Sequence, residues 1–416
     1  MAYCAIYNEF YPGNFTGQIW TYIYIVISVI CFFGGTLCLG FTPKLNWLFF
    51  IAGSLLTISA HGLSICNISI SVLFSGNGNM FVSIVSALND VSSIVMSAIK
   101  YITDLGVPIW LGLTIYGSVG SAIILGSLVL FKSKPEDMLP KKNVKENSEL
   151  DEETLKQIEM QNIEIKTEPD HVVTSTESHL NSSNVDLMRE IYEKTTEECF
   201  PTIKKCILSP EYLIQLFFFI IMCFRFVFFL AQMSSQLKYL FPTQPDVVEH
   251  LLSVSNFFFL GSIFISPLSG ILLDKYQRYT FNCLSKDTNI SSKTIYNKIN
   301  ACFFPPIFMC CLSTLVASSL LFIPNKYSFY MVFMCITITR SFLFSLTAAY
   351  IFSAFPKKYF GTVIGSVFLV SGFMNLSQQF IIHFASPNSH PDLVNYILLG
   401  MCVATFVYPL YLKLKR

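Results

Sequence analysis

Four ionisable side chains stand inside stretches that are otherwise apolar: Asp90 and Lys100 in the run 80–104, Arg225 in "FFFIIMCFRFVFFLAQMSSQ", and Arg340 in the run 327–354. His61 joins them as a neutral or switchable group in the run 45–70. A charge in hydrocarbon costs at least ~2.5 kcal/mol even on insertion scales, so such residues face a bundle interior or a water-filled cavity. Arg225 is flanked by aromatics and lies too deep to snorkel. Its planar fork of donors suits a carboxylate, which makes it a cationic anchor for a solute. An ion pair with an acidic residue, Asp90 above all, is an equal alternative. For Arg340, followed by the polar stripe Ser341, Ser345 and Thr347, pairing across a bundle is at least as well supported as solute contact. Asp90 sits in a turn made polar by Asn89, Ser92 and Ser93 and reads as an arginine's partner. Left unpaired, its pKa would rise and it would become a proton site. Lys100, followed by Asp104, reads as a snorkelling residue, and His61 as a hydrogen-bonded packing residue. Asn375, Gln378 and Gln379, about one turn apart, are weaker candidates for lining a cavity.

Such residues need spanning helices to hold them, and the composition supplies them. Hydrophobic residues make up 53% of the 416 and charged residues 13%, a membrane composition and not a soluble one. A hydrocarbon core of roughly 30 Å takes about 20 apolar residues of helix. Runs of that kind occupy 17–40, 45–70, 80–104, 108–131, 212–234, 251–273, 301–323, 327–354, 361–384 and 393–412, which predicts an all-α polytopic membrane protein with ten transmembrane helices. The first run follows a polar start with Glu9 and Asn14 and is too long for the core of a signal peptide, so it reads as a retained anchor.

Several classes of activity drop out. A net charge of +1 with no basic stripe excludes a nucleic-acid partner. The 13 cysteines show neither a disulfide framework nor the spacing of a zinc site, so no metal is expected. There is no nucleotide-binding glycine loop, catalytic triad or HExxH, hence no expected catalytic residue and no cofactor. Moving a small-molecule solute through the lipid bilayer fits better than chemistry on one.

Between the fourth and fifth runs the composition turns to Glu, Asp, Lys, Ser, Thr and Asn, as in "KKNVKENSELDEETLKQIEM". This divides the chain into an N-terminal bundle of four helices (1–131), an acidic, largely disordered linker (132–210) and a C-terminal bundle of six (211–416). A charged spacer is favoured over a short amphipathic helix at 155–165. Lys275, Arg278, Lys286, Lys293, Lys298, Lys357, Lys358, Lys413, Lys415 and Arg416 cluster in alternate connections and at the C-terminus. The positive-inside rule therefore puts both termini and the linker in the cytosol. In that topology the Asn14-Phe15-Thr16 sequon stays unmodified. Gly361 and Gly365 have the spacing of a close helix contact, and Pro267, Pro305 and Pro306 predict kinks.

After the sixth run comes "SPLSGILLDKYQR", where Gly270, Leu272, Asp274, Lys275 and Arg278 match much of the GxLxDRxGR gating-loop motif of the major facilitator superfamily, with Gln277 at the second glycine. More closely, the chain resembles solute carrier family 43, the facilitative large neutral amino acid transporters and their equilibrative nucleobase transporter relative. "TRSFLFSLTAAYIFSAFPKKYFGTVIG" is similar to that family's helix ten and the loop after it, and "NDVSSIVMSAIKYITDLGV" to its helix five. The stretch around Arg225 resembles the amino acid transporters' helix seven. The resemblance implies two helical bundles in the plasma membrane, rocking about a midplane site in facilitated uniport. It also implies that the four helices before the linker are helices three to six, with the first two absent. The expected solute is a large neutral amino acid held by Arg225, with Asn375, Gln378 and Gln379 beside it. A purine nucleobase is the close alternative, and a truncated carrier that does not transport is another. Asp90, Arg225 and Arg340 form the expected intramembrane charge network.

Overall fold

A computed structural model describes residues 15–70, 78–132, 188–189, 191–284, 291–384 and 391–415. The Asn14 sequon, most of the linker with its segment 155–165, and the side chains of His61, Asp90 and Lys100 lie outside the described residues. All regular structure among the described residues is helical. Before the linker run α1 (Phe15–Gly40), α2 (Leu48–Ile70), α3 (Gly78–Asp104) and α4 (Ile109–Lys132). After it come α5 (191–199), α6 (Ile203–Ile207), α7 (Pro210–Leu240), α8 (Pro245–Leu260), α9 (Ser262–Leu284), α10 (Ser292–Asn300) and α11 (Phe304–Leu320). The chain closes with α12 (Lys326–Ala354), α13 (Phe360–Leu376), α14 (Gln378–Phe384), α15 (Pro391–Ala404) and α16 (Val407–Leu414).

Helix covers most of each expected run, though not always as one continuous helix. By length and composition, seven stretches among the described residues can cross a membrane unaided: Ile109–Gly126, Pro210–Leu240, Pro245–Leu284, Ser292–Leu320, Lys326–Ala354, Lys357–Ile382 and Asp392–Leu414. Local chemistry sets their ends. Ser209 caps α7 by accepting from Tyr212 N (3.2 Å), with Pro210 in the first turn where no N–H is needed. Asn325 caps α12 in the same way through Tyr327 N (3.0 Å). The exposed faces are apolar, with Phe264 80% and Phe50 77% exposed, as lipid-facing helices require.

The structure departs from the sequence expectations at several points: the run 251–273 divides at Gly261 between α8 and α9, the run 393–412 divides at 405–406 between α15 and α16, and 191–207, expected as linker, carries α5 and α6. The run 361–384 is not one helix but breaks at Ser377, whose hydroxyl bonds back to the Met374 carbonyl (2.6 Å) and competes with the helical ladder. The motif after the sixth run lies within α9, not in a loop, and Gln277 is a better helix former there than the motif's second glycine. The Gly361/Gly365 spacing serves no close contact at Gly365, where an added Cβ would meet nothing within 4 Å.

The helices form two groups that meet along a seam. α1 packs on α2 and α4, with Gly120 of α4 so close to Phe32 that a Cβ would come within 2.5 Å of its ring. α11, α12, α13 and α15 surround α7 and α9 over a core rich in phenylalanine. α3 packs mainly across the seam, on α9 and α12. At the linker end, burial pushes the Cys206 thiol up to about 11, whereas Cys199 and Cys283 are exposed. Maleimide at pH 7.5 is expected to modify Cys199 and Cys283 at least a hundredfold faster than Cys206, whose rate climbs as pH rises toward 11 and the thiolate forms. Peptide mass spectrometry after timed labelling checks this, and equal rates would show that α6 is not docked.

Candidate functional site

The two arginines occupy the centres of their helices. Arg225 is fifteen residues from each end of α7 and Arg340 fourteen from each end of α12. At 1.5 Å per residue each lies about 21 Å from a helix end, beyond the reach of a snorkelling side chain. Asp90 holds nearly the same central position in α3.

The arginines face different surroundings. Arg225 is 2% exposed and donates from Nε to Ser318 Oγ of α11 (2.9 Å), with Cys402 of α15 behind it at 3.6 Å from that hydroxyl. Beside it Gln232, Gln236 and Asn395 line a recess, and Asn395 Nδ2 donates to Gln236 Oε1 (3.2 Å). The free space there is about 10 Å³, room for roughly one water molecule. Among the described residues no carboxylate lies within ion-pair distance of Arg225. α3, which carries Asp90, packs on α8, α9 and α12.

Arg340 is half-buried and stacks over the ring of Phe226 at 5.5 Å. Phe219, Cys223 and Phe226 recur every three to four residues and so share one stripe of α7. Opposite that stripe stand half-buried groups of two other helices. Phe344 of α12 and Phe368 of α13 lie 5.8 and 5.4 Å from the Phe219 ring, and Asn375 Nδ2 lies 3.5 Å from Cys223 Sγ. Gln378 is buried and donates to the Phe224 carbonyl (3.1 Å) and to Asn375 Oδ1 (2.6 Å). Gln379 is exposed and makes none of these contacts. The structure thus brings Asn375 and Gln378 to the wall that holds Arg340, and sets Arg225 on another side of α7. Phe226, Phe344 and Phe368 were not singled out in sequence, where they merge with the other phenylalanines. The i, i+4 spacing of Arg340 and Phe344 is the signal that points to them.

The motif residues of α9 build the seam. A Cβ on Gly270 would fall 2.5 Å from Met80 Cα, 2.6 Å from the Asn79 carbonyl oxygen and 2.6 Å from Ser83 Oγ, so only glycine lets α9 approach α3 this closely. One turn on, the Asp274 carboxylate accepts from Asn79 Nδ2 (2.8 Å) and from the Met80 backbone N–H (2.9 Å). It caps α3 from a neighbouring helix, placing negative charge where the first-turn donors have no intrahelical partner. Gln277 Oε1 also accepts from Asn79 Nδ2 (2.8 Å). Deeper in, the hydroxyls of Ser83, Ser269 and Ser345 link α3, α9 and α12 at 3.3 and 2.8 Å. Lys275 and Arg278 point outward and are exposed.

Long apolar helices with central charges, meeting at a glycine-mediated seam, are matched by a known family. The model of the Major Facilitator Superfamily matches residues 15–377. The chain belongs to that superfamily. Its members are transporters of small-molecule solutes across the lipid bilayer, and this chain is an integral membrane protein. A curated relative, equilibrative nucleobase transporter 1 of Bos taurus, is 24% identical over 186 residues, which is 44% of this chain and 37% of that protein. The match therefore spans little more than a third of the relative's length.

Proposed function

We propose that the chain carries a planar, neutral solute of the purine nucleobase class by facilitated alternating access, with the aromatic wall around Arg340 as its binding surface. Central to this reading is the half-buried guanidinium of Arg340 over Phe226 at the middle of α12, with Phe344 and Phe368 two turns along the same stripe of α7 against Phe219. Flat aromatic faces stack well on a base. A guanidinium plane and the Asn375 amide supply donors and acceptors for its edge. In this scheme Asp90 pairs with Arg340: counting outward from the linked serines, Asp90 is seven residues beyond Ser83 and Arg340 five beyond Ser345. Those offsets are about 10.5 and 7.5 Å, nearly the same depth. Ten helices span the plasma membrane, with the linker and both termini in the cytosol, and the seam is the gate on the linker side. The partial match to a nucleobase transporter agrees with the solute class.

A large neutral amino acid is the second reading, favoured by Arg225, a central guanidinium with four N–H donors beyond its bond to Ser318. The recess of about 10 Å³ holds no amino acid in this conformation. The test is uptake of labelled adenine and labelled leucine by vesicles containing the purified chain. Saturable adenine uptake is expected, changed no more than about twofold by Arg225→Gln, because glutamine can still bond Ser318. Saturable leucine uptake that collapses in Arg225→Gln would establish the second reading instead.

A further inference from the structure

Residues 191–201 join the linker to the C-terminal helices, and they are not a loose tether. Tyr192 is 6% exposed, and its hydroxyl donates to the Ser353 carbonyl at the end of α12 (2.9 Å). The Ser353 hydroxyl lies at 3.1 Å and Asn300 Oδ1 at 3.2 Å. The ring stacks on Tyr296 of α10 (5.9 Å between centroids) and meets Phe281 of α9 edge-on (6.3 Å). Phe200 is buried against Phe355 (5.1 Å) and Tyr296 (6.3 Å). Glu193 pairs with Lys357 (2.7 Å), and the Tyr359 hydroxyl donates to the Pro201 carbonyl (2.8 Å). The segment therefore crosses the linker-side ends of α9, α10 and α12. Burial raises the Tyr192 hydroxyl above the ordinary tyrosine range, so it stays a donor at physiological pH.

These contacts run directly into the seam. Ser353 Oγ, which faces Tyr192, also accepts from Gln277 Nε2 (3.5 Å), and the other end of that amide accepts from Asn79 Nδ2 (2.8 Å). Only two side chains, Ser353 and Gln277, separate Tyr192 from the asparagine that Asp274 holds at the start of α3. With Tyr192 docked, Ser353 fixes the Gln277 amide in the orientation that presents Oε1 to Asn79. With Tyr192 undocked, the amide is free to turn, and the seam loses one of its acceptors. The Glu193–Lys357 pair is half-exposed and adds little, so docking rests on the burial of Tyr192 and Phe200 and on the hydroxyl bonds of Tyr192 and Tyr359.

We propose that residues 191–201 are a strap that holds the α3–α9 seam closed from the linker side, and that release of the strap is the step through which the linker controls opening. The device goes beyond the transport reading and is indifferent to the solute. Its test therefore uses none. In the full chain in vesicles, with Cys199 and Cys283 changed to serine, Ser83→Cys reports the seam and Thr339→Cys, buried between α11 and α12, reports general loosening. An impermeant maleimide is applied at the linker face, and each site is read by peptide mass spectrometry.

Tyr192→Phe, which keeps the ring and loses the hydroxyl, is expected to speed labelling at position 83 about fivefold with position 339 unchanged, and Phe200→Ala to speed it further. Unchanged labelling at 83 in both variants would overturn the proposal. So would an equal rise at 83 and 339, which would make the segment only a brace for the fold. Failure of adenine or leucine uptake leaves this result intact, so the two readings fail separately.

Discussion

Gly270→Leu is expected to open the seam and reduce solute uptake at least tenfold, with Gly270→Ala intermediate. The atoms that a side chain at 270 would strike are the Met80 Cα and the Asn79 carbonyl oxygen, at 2.5 and 2.6 Å, and Ser83 Oγ. Backbone cannot swing aside as a flexible side-chain tip can, so α3 as a whole must move away from α9. Overpacking of this kind costs about 1–3 kcal/mol by itself. The displacement also pulls Asn79 and the Met80 N–H from the Asp274 carboxylate, where bonds to a charged acceptor contribute roughly 1.5–3 kcal/mol each. The helices themselves lack this dependence, so helicity is expected to stay intact while the melting temperature falls. A thermal melt in detergent together with vesicle uptake measures both. A Gly270→Leu protein with the parent's melting temperature and uptake would mean that α3 and α9 do not pack at this register.

The second large effect concerns charge at mid-depth. On the proposed Asp90–Arg340 pairing, Arg340→Gln and Asp90→Asn are each expected to lower stability by about 3–5 kcal/mol, because each would leave a charge at mid-depth without its counterpart. The double variant is expected to recover most of that loss, since it removes both charges at once. A coupling energy of about 2 kcal/mol or more in the double-mutant cycle marks a direct pair. Transport behaves differently. The double variant is expected to stay at least tenfold below the parent in uptake, because the guanidinium that the proposed site needs over Phe226 is gone. Arg340→Lys keeps a charge without the planar fork and is expected to fall between. Additive stability losses would rule out the pair, and parent-like uptake by Arg340→Gln would remove Arg340 from the binding surface. Thermal melts and initial uptake rates on the same preparations separate the two roles.

These residues show how much of the molecule can be read from the chain alone. The positions of the helices are legible because a backbone in hydrocarbon must satisfy its own hydrogen bonds, and a run of about 20 apolar residues has no other way to do so. The central location of Arg225 and Arg340 is legible for the same reason: counting along a helix measures depth. The glycine of "SGILLD" is legible as a motif, and the superfamily match agrees with it.

Direction was not legible. A helix that is apolar on every side carries no periodic signal for which face meets which neighbour, so neither arginine announces its partner. Only packing turns Arg225 toward Ser318 and a recess of water size, and Arg340 toward Phe226. The same holds at the break beside Gln378. Asn375 and Gln378 reach the wall while Gln379 does not, although all three looked equivalent in the sequence. The end of the linker is the clearest case: its charged composition masks Tyr192 and Phe200, whose burial depends on Tyr296, Ser353 and Phe355, about a hundred residues or more further on. Sequence by itself determined that this chain enters the membrane, where its helices lie and how deep its charges sit, because those follow from each segment's own contact with lipid. Tertiary structure decided which charge faces a wall, which glycine closes a seam and which tyrosine straps it, because those depend on what a distant segment brings to the other side.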